Sequence, residues 1–242
     1  MATFALVFSA VFIAAVLRGI TGFGFALAAV PLVSLTLPPA EAIVIAILLQ
    51  CMVGLREIVV MRHQVVLATL KKLSIGAVIG TPVGLLGLHM LSADAMRIVL
   101  AVIVLSALVA MVKQVRIAPG PRQAMGAGLL SGVFSGLAAM PGPPAVAYLL
   151  STATPPAQTR ATLMSFFCVT SLIALPGLFA EGLVGRQTLL MAALSLPLLM
   201  LGTYFGEKVF RRLGEGGYQK AAIAMLAVTA LITAAHGISG LF

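Results

Sequence analysis

Charged side chains are scarce in this 242-residue chain, and acidic ones are the scarcest. Only 9% of the residues are charged, with six aspartates and glutamates against fifteen lysines and arginines, whereas 61% are hydrophobic. A soluble domain carries about 25% charged residues. The scarcity therefore excludes a soluble globular protein, and we predict an all-α polytopic membrane protein.

Cysteine is also rare, and the apolar segments contain little material for catalysis. The two cysteines, Cys51 and Cys168, fall in the middle of apolar segments. Packing suits such positions better than a disulfide or a metal site. No aspartate pair and no cluster of metal-binding residues lies within the apolar segments. We therefore expect no enzymatic activity, no metal and no cofactor.

The basic residues that are present lie in short loops between apolar segments, although the net charge reaches +9. In such loops, lysine and arginine set the topology and face anionic lipid. We therefore expect the bilayer, and no nucleic acid, as the partner of this charge. The first 17 residues lack a basic n-region and a small-residue cleavage site, so no cleavable signal peptide is predicted.

Charged or Pro/Gly-rich breaks divide the chain into eight apolar segments. They cover residues 2–35, 40–55, 65–90, 95–112, 123–150, 157–180, 187–207 and 219–241. A helix needs about 20 residues to cross the hydrocarbon core. The first and fifth segments are too long for one crossing, and each contains a break. Gly19, Gly22 and Gly24 follow Arg18 in the first segment, and MPGPP occupies 140–144 in the fifth.

The two halves of the chain resemble each other. GTPVG at 80–84 matches GTYFG at 202–206, and PPAE at 38–41 matches PPAQ at 155–158. The second offset superposes Cys51 on Cys168, and Arg18 aligns with Ser131. Internal repeats are a frequent construction of transporters. We therefore predict two repeats, 1–118 and 119–242, in one membrane domain without a soluble domain.

The basic residues distinguish between two topologies. If all eight segments cross once, the two sides carry eight and six basic residues. If the first and fifth segments are re-entrant hairpins, with arms of about 15 residues in the first, the sides carry twelve and two. The second split is what the positive-inside rule expects, with both termini periplasmic. Each repeat then has a hairpin and three crossings, which makes the repeats inverted. A tilted, kinked first helix stays open as the alternative.

Arg18 is the charged residue placed deepest in an apolar segment. A buried arginine costs about 3 kcal/mol on insertion scales, so it is a functional candidate by default. No acidic residue lies within two helical turns of it along the chain, and we therefore expect it to be unpaired. A free guanidinium binds oxyanions bidentately. The structural alternative is that Arg18 caps the last carbonyls of its own helix.

Helices that resume after the two breaks would direct their N-termini, which favour anions, towards the protein interior. Polar residues nearby could contact the same ligand or form hydrogen bonds between helices. The predicted substrate-binding residues are Arg18, Thr21, Gly22, Phe23, Gly24, Gln50, Met140, Pro141, Gly142, Pro143, Tyr148 and Arg160.

Two stretches carry a resemblance to a known family. They are RGITGFGFALAAVPL followed by LPPAEA, and MPGPPAVAYLL followed by PPAQTRATLMSFF. The chain resembles the TauE/SafE family of sulfite exporters and toluenesulfonate uptake permeases along essentially its whole length. The resemblance implies ion-coupled transport of small sulfur-containing anions across the bacterial inner membrane.

We therefore predict a secondary transporter that moves sulfite, organosulfonates or related oxyanions and carboxylates by alternating access. An anion channel and a structural membrane protein are the alternatives. The sequence leaves open which anion is carried and in which direction. It also leaves open whether protons drive transport, with His89 and His236 as candidates, or the membrane potential does. A homodimer is one option for the assembly.

Overall fold

The structure, a computed structural model, describes residues 2–209 and the isolated positions 224 and 227. Within residues 2–209 it contains a short 3-10 helix at Arg62–Gln64, α-helices and no strands. The α-helices are α1 (Ala2–Thr21), α2 (Phe25–Val33), α3 (Pro39–Met61), α4 (Leu67–Met90), α5 (Ala93–Val112), α6 (Pro121–Ala138), α7 (Gly142–Leu149), α8 (Pro156–Ala180) and α9 (Arg186–Val209). Apart from positions 224 and 227, the predicted eighth segment, with His236, lies outside the described residues.

Six helices among the described residues are long and apolar enough to cross a membrane. They are α1, α3, α4, α5, α8 and α9. By contrast, α2 has 9 residues and α7 has 8. At 1.5 Å per residue they measure about 14 and 12 Å, less than half of the bilayer core. The prediction of an all-helical multi-pass membrane protein is confirmed.

Both long segments are broken at the glycine and proline clusters. The first breaks at 22–24, where Gly22 and Gly24 have φ angles of +76° and +88°. The second breaks after Ala139, at φ +59°. Packing of α2 on α1 and of α7 on α6 accompanies these breaks. The predicted arms of about 15 residues in the first segment were wrong, since its first arm has 20 residues and its returning arm only 9. The fifth segment is divided into arms of 18 and 8 residues.

Glycine stripes allow two pairs of helices to pack backbone against backbone. On α4, Gly76, Gly80 and Gly84 face the backbone of α6, whose own stripe is Gly128, Gly132 and Gly136. On α9, Gly202 and Gly206 contact α1 around Ala15 and Gly19. Residue numbers rise together along both contacts, so each pair is parallel. Small residues at such spacing are the usual means of close helix approach in membranes.

Contacts made by α8 show its direction relative to α3 and α4. Gly54 lies against Cys168, and the backbone N–H of Val66 donates to Thr162 Oγ1 at 3.0 Å. As the residue numbers increase towards and past the end of α3, those of their contacts on α8 decrease. These two helices are therefore antiparallel. At the far end of α4, His89 Nδ1 and a Glu181 carboxylate oxygen are 2.8 Å apart. Helices α4 and α8 consequently run parallel.

The centre of the molecule is formed by α2 and the first half of α3. Every residue of α3 from 42 to 51 is buried, as are Phe25 to Pro31 of α2. A helix that is apolar on all sides is one enclosed by other helices. Polar or charged groups that reach this centre are therefore shielded from water and lipid.

Candidate anion-binding site

The two breaks meet at a small chamber in this centre. Its free volume is about 20 Å³, enough for roughly one water molecule. Arg18, Gln50 and the N-terminus of α2 lie in the wall together with both breaks. The predicted site residues that line it are Arg18, Gly22, Phe23, Gly24, Gln50, Met140, Pro141 and Gly142.

Arg18 is 4% exposed and forms an ion pair with Glu57 of α3. The expectation of an unpaired arginine was therefore wrong. Glu57 lies 39 residues further along the chain and comes close only through the packing of the helices. Helix α3 extends to Met61, past the predicted segment end at residue 55, and so brings this carboxylate into the apolar region.

One Arg18 donor remains available despite the ion pair. The buried Nε atom has no hydrogen-bond partner among the described residues. The side chain bonds to Glu57 through Nη2, so the capping alternative does not describe its hydrogen bonding. An unsatisfied buried N–H is a costly feature.

The first break supplies most of the backbone donors at the chamber. The first intrahelical bond of α2 joins Ala28 N to Gly24 O, so the N–H groups of Phe25, Ala26 and Leu27 have no partner within the helix. All three residues line the chamber. In α7 the corresponding turn contains Pro143 and Pro144, which have no N–H. The two helix N-termini are therefore unequal as anion sites.

Gln50 connects α3 to the second break. Its side chain is 5% exposed, and Nε2 donates to the carbonyl oxygen of Ala139 at 3.1 Å. Ala139 is the left-handed residue at which α6 ends. This hydrogen bond fixes the second break beside the chamber.

The other predicted site residues lie outside the chamber. Thr21 Oγ1 bonds to Leu17 O at 2.9 Å and to the Phe23 backbone, so it shapes the first break. Tyr148 Oη donates to Gly120 O at 3.2 Å and borders none of the three described cavities. Pro143 lines a cavity of about 250 Å³ with Arg116 at its edge.

A larger cavity of about 360 Å³ lies on the other side of Gly22 and Phe23. We call it the threonine vestibule, lined by Thr21, Thr152, Thr154, Thr159 and Arg160 among others. Arg160 Nη2 is 3.1 Å from Glu207 Oε1, and its Nε has no partner in the described part of the chain. Gly22 and Phe23 border both the vestibule and the chamber.

Membrane-length helices and two half-length helices, with a buried arginine beside the breaks, define a multi-pass membrane protein with a small chamber where the two breaks meet. The chain belongs to the TauE/SafE family of sulfite exporters, which it matches over residues 7–233 of 242. This confirms the resemblance indicated by the two motifs, and the family is one of membrane transporters. No curated protein and no solved structure matches the chain significantly.

Proposed function

We propose that the protein is a secondary transporter of small sulfur-containing anions, such as sulfite and organosulfonates or related oxyanions and carboxylates, in the bacterial inner membrane. The observation that carries the proposal is the chamber, whose wall contains the buried Arg18 together with Phe25, Ala26 and Leu27, whose backbone N–H groups have no partner within α2. Both groups favour negative charge. Family membership supports the class of substrate.

In this proposal the anion binds between the two breaks. The Arg18 guanidinium and the N–H groups of Phe25, Ala26 and Leu27 donate to its oxygens, and Gln50 keeps the second break in place. The chamber has a free volume of about 20 Å³ in the described form, and in this proposal it widens when an anion binds. Access then alternates as one repeat rocks against the other.

We propose that the first and fifth segments are re-entrant hairpins in two inverted repeats, 1–118 and 119–242, with both termini periplasmic. Helices α3 and α8 are antiparallel, and α4 and α8 are parallel. These directions support the hairpin, because a fifth segment that crossed the membrane fully would reverse the direction of α8. The contact between Cys51 and Cys168, which the repeat superposes, gives further support.

The threonine vestibule is proposed as the access route from the cytoplasmic side. Arg160 attracts anions there, and the hydroxyl groups of Thr152, Thr154 and Thr159 replace part of their hydration. Phe23 must move for an anion to pass from the vestibule to the chamber. Protons or the membrane potential supply the driving force.

Uptake of labelled sulfite, methanesulfonate, toluenesulfonate and acetate into proteoliposomes tests the proposal. We expect saturable uptake of at least one sulfur anion, accelerated by the same anion on the other side. Flux that neither saturates nor shows this exchange would indicate a channel. Proteoliposomes that carry none of the four anions would contradict the proposed function.

A further inference from the structure

We propose that Glu57 is the coupling residue of transport: it takes up a proton when an anion takes its place at Arg18, so that the two cross together. The inference rests on the proposed anion site and goes beyond it, because it names the coupled ion and the residue that carries it.

The ion pair lies at the edge of the site and not in a remote region. Arg18 lines the chamber, and its side chain is 5% exposed, whereas the Glu57 side chain is 12% exposed. Glu57 comes four residues before the end of α3, next to the exposed 3-10 helix at Arg62–Gln64. The carboxylate can therefore exchange protons with water at that end while it contacts a buried guanidinium.

Charge balance requires a change at this pair when an anion enters. With the chamber empty, Arg18 and Glu57 cancel. A monovalent anion beside the intact pair would leave one uncompensated negative charge in a region shielded from water, which is strongly unfavourable. A proton from solvent that binds a Glu57 carboxylate oxygen returns the site to neutrality, with Arg18 facing the anion. One proton thus accompanies each monovalent anion.

The volume of the chamber also favours separation of Arg18 from Glu57 when an anion binds. The chamber holds about one water molecule while the pair is closed. Separation of Arg18 from Glu57 frees Nη2 as a second donor next to the unpartnered Nε, and allows the side chain to move away from the chamber wall. A planar guanidinium with two free N–H groups is suited to bidentate binding of an oxyanion.

Other titratable groups near the pair are few in the described structure. Cys168 of α8 lies within electrostatic reach of both Arg18 and Glu57, and Cys51 is on α3 itself. Arg62 and His63 of the 3-10 helix bond to each other at 3.1 Å. Glu207 of α9, whose backbone nitrogen lies against Gly19, and Arg160 of α8, whose side chain lies against Gly22, pair with each other. Helix α2 has no titratable residue. Glu57 is thus the carboxylate paired with the arginine of the chamber.

The pair between Arg160 and Glu207 provides an internal comparison. Its side chains are 24% and 41% exposed, so water screens both charges whether or not they touch. Neutralising one of them does not leave a bare charge in the interior. The requirement for a compensating proton applies to the buried pair.

The test uses the full chain in proteoliposomes, with labelled methanesulfonate, which stays monoanionic at all working pH values, and sulfite in parallel. Wild type is expected to accumulate anion when the outside is acidic, with one proton entering per methanesulfonate and no dependence on membrane potential. Glu57→Gln is expected to lose at least 10-fold of the pH-driven accumulation and to become potential-dependent, because its site carries a fixed charge when empty. Glu57→Asp retains the coupling.

Glu181→Gln is the matched control, since Glu181 pairs with His89 at the distant end of α4. It should behave as wild type. Glu57→Gln that accumulates anion on a pH gradient as wild type does would overturn the inference. If Glu57→Gln does not elute as a folded protein, the number of protons that enter wild-type proteoliposomes per anion is the deciding measurement. Anion uptake without proton entry would overturn the inference and leave the proposed function standing. Wild type that moves neither anion contradicts the proposed function and the inference together.

Discussion

At the scale of single residues, Arg18 differs from the other ion-paired arginines in its burial: its side chain is 5% exposed, whereas those of Arg97 and Arg160, whose Nε atoms also lack a partner among the described residues, are 26% and 24% exposed. It has an ion-pair partner that offsets part of its burial cost, and it keeps a buried donor without a partner. An unpartnered Nε alone does not mark a binding site, because Arg97 at an exposed pair has one too. What connects Arg18 to anion binding is its position in the wall of the chamber, together with N–H groups of α2 that have no partner within the helix.

Gln50→Leu tests the link between α3 and the second break. Leucine leaves the buried Ala139 carbonyl without its partner, which costs about 1–3 kcal/mol. We expect a lower midpoint of thermal unfolding in detergent and weaker anion binding. Gln158→Leu, at an exposed glutamine in the first turn of α8, is the control and should leave both unchanged. Equal midpoints for the two variants would mean that the hydrogen bond does not hold the break.

At the scale of helices, the glycine stripes hold the first arms of the two broken segments. Each arm packs in parallel against a full-length helix, α6 against α4 and α1 against α9. The breaks at the ends of these arms are thereby held at fixed positions relative to α3 and α8. Close packing here determines where the chamber forms.

Gly132→Ala should weaken this packing. A Cβ atom at Gly132 would lie 2.7 Å from the Ala77 carbonyl oxygen and 2.9 Å from Thr81 N, both backbone atoms. Overpacking of this kind costs about 1–3 kcal/mol, so we expect a lower unfolding midpoint. Gly126→Ala on the same helix is the control, because no heavy atom lies within 4 Å of the added Cβ. A midpoint for Gly132→Ala that is as high as that of Gly126→Ala would contradict the packing.

Features encoded locally could be predicted from the sequence, and features made by packing could not. The breaks were predictable because glycines and prolines cluster there, whereas single residues such as Pro31 and Pro82 are accommodated within helices. The Arg18–Glu57 pair was missed because the apolar segment was ended at the charged residues Arg56 and Glu57. In the structure α3 continues through them, with Arg56 exposed and Glu57 turned inward. A count of hydrophobic residues along a segment does not show which face of the helix a charged side chain occupies, so it misses a single charge that points inward.

Unequal arm lengths have a similar explanation. The positions of the breaks were predicted correctly, but the length of the returning arms was not, because these arms end at turns set by contacts with other helices. Pro31 lies within α2, and the chain leaves that helix at Ser34, whose hydroxyl group bonds to the Pro31 carbonyl at 2.8 Å. Such an end becomes visible only once the helix is packed.

At the scale of the whole molecule, the directions of the helices determine the topology. If both long segments return to the side from which they began, the turn before α3 and the turn before α5 face the same side. We expect single cysteines at Pro38 and Ala93, both exposed, to react with an impermeant maleimide from the periplasm. A cysteine at His63 should react only from the cytoplasm. The variants require Cys51 and Cys168, both buried, to be replaced by alanine.

Reaction of positions 38 and 93 from opposite faces would contradict the hairpins and the inverted repeats. The chamber would then still exist, but it would not lie on a symmetry axis that relates the two repeats. Transport by rocking of one repeat against the other would lose its structural basis. Transport of the anion and this topology are therefore separate claims with separate tests.

Equilibrium binding of labelled sulfite to the purified protein tests the central claim most directly, namely that Arg18 holds an anion between the two breaks. Loss of a charged hydrogen bond costs about 1.5–3 kcal/mol, so Arg18→Gln should weaken binding by about 10-fold or more. The double variant Arg18→Gln/Glu57→Gln, which leaves no bare charge, should be equally weak, and Arg97→Gln at the exposed pair with Asp94 should bind as wild type. Wild-type affinity in the folded double variant would contradict the site.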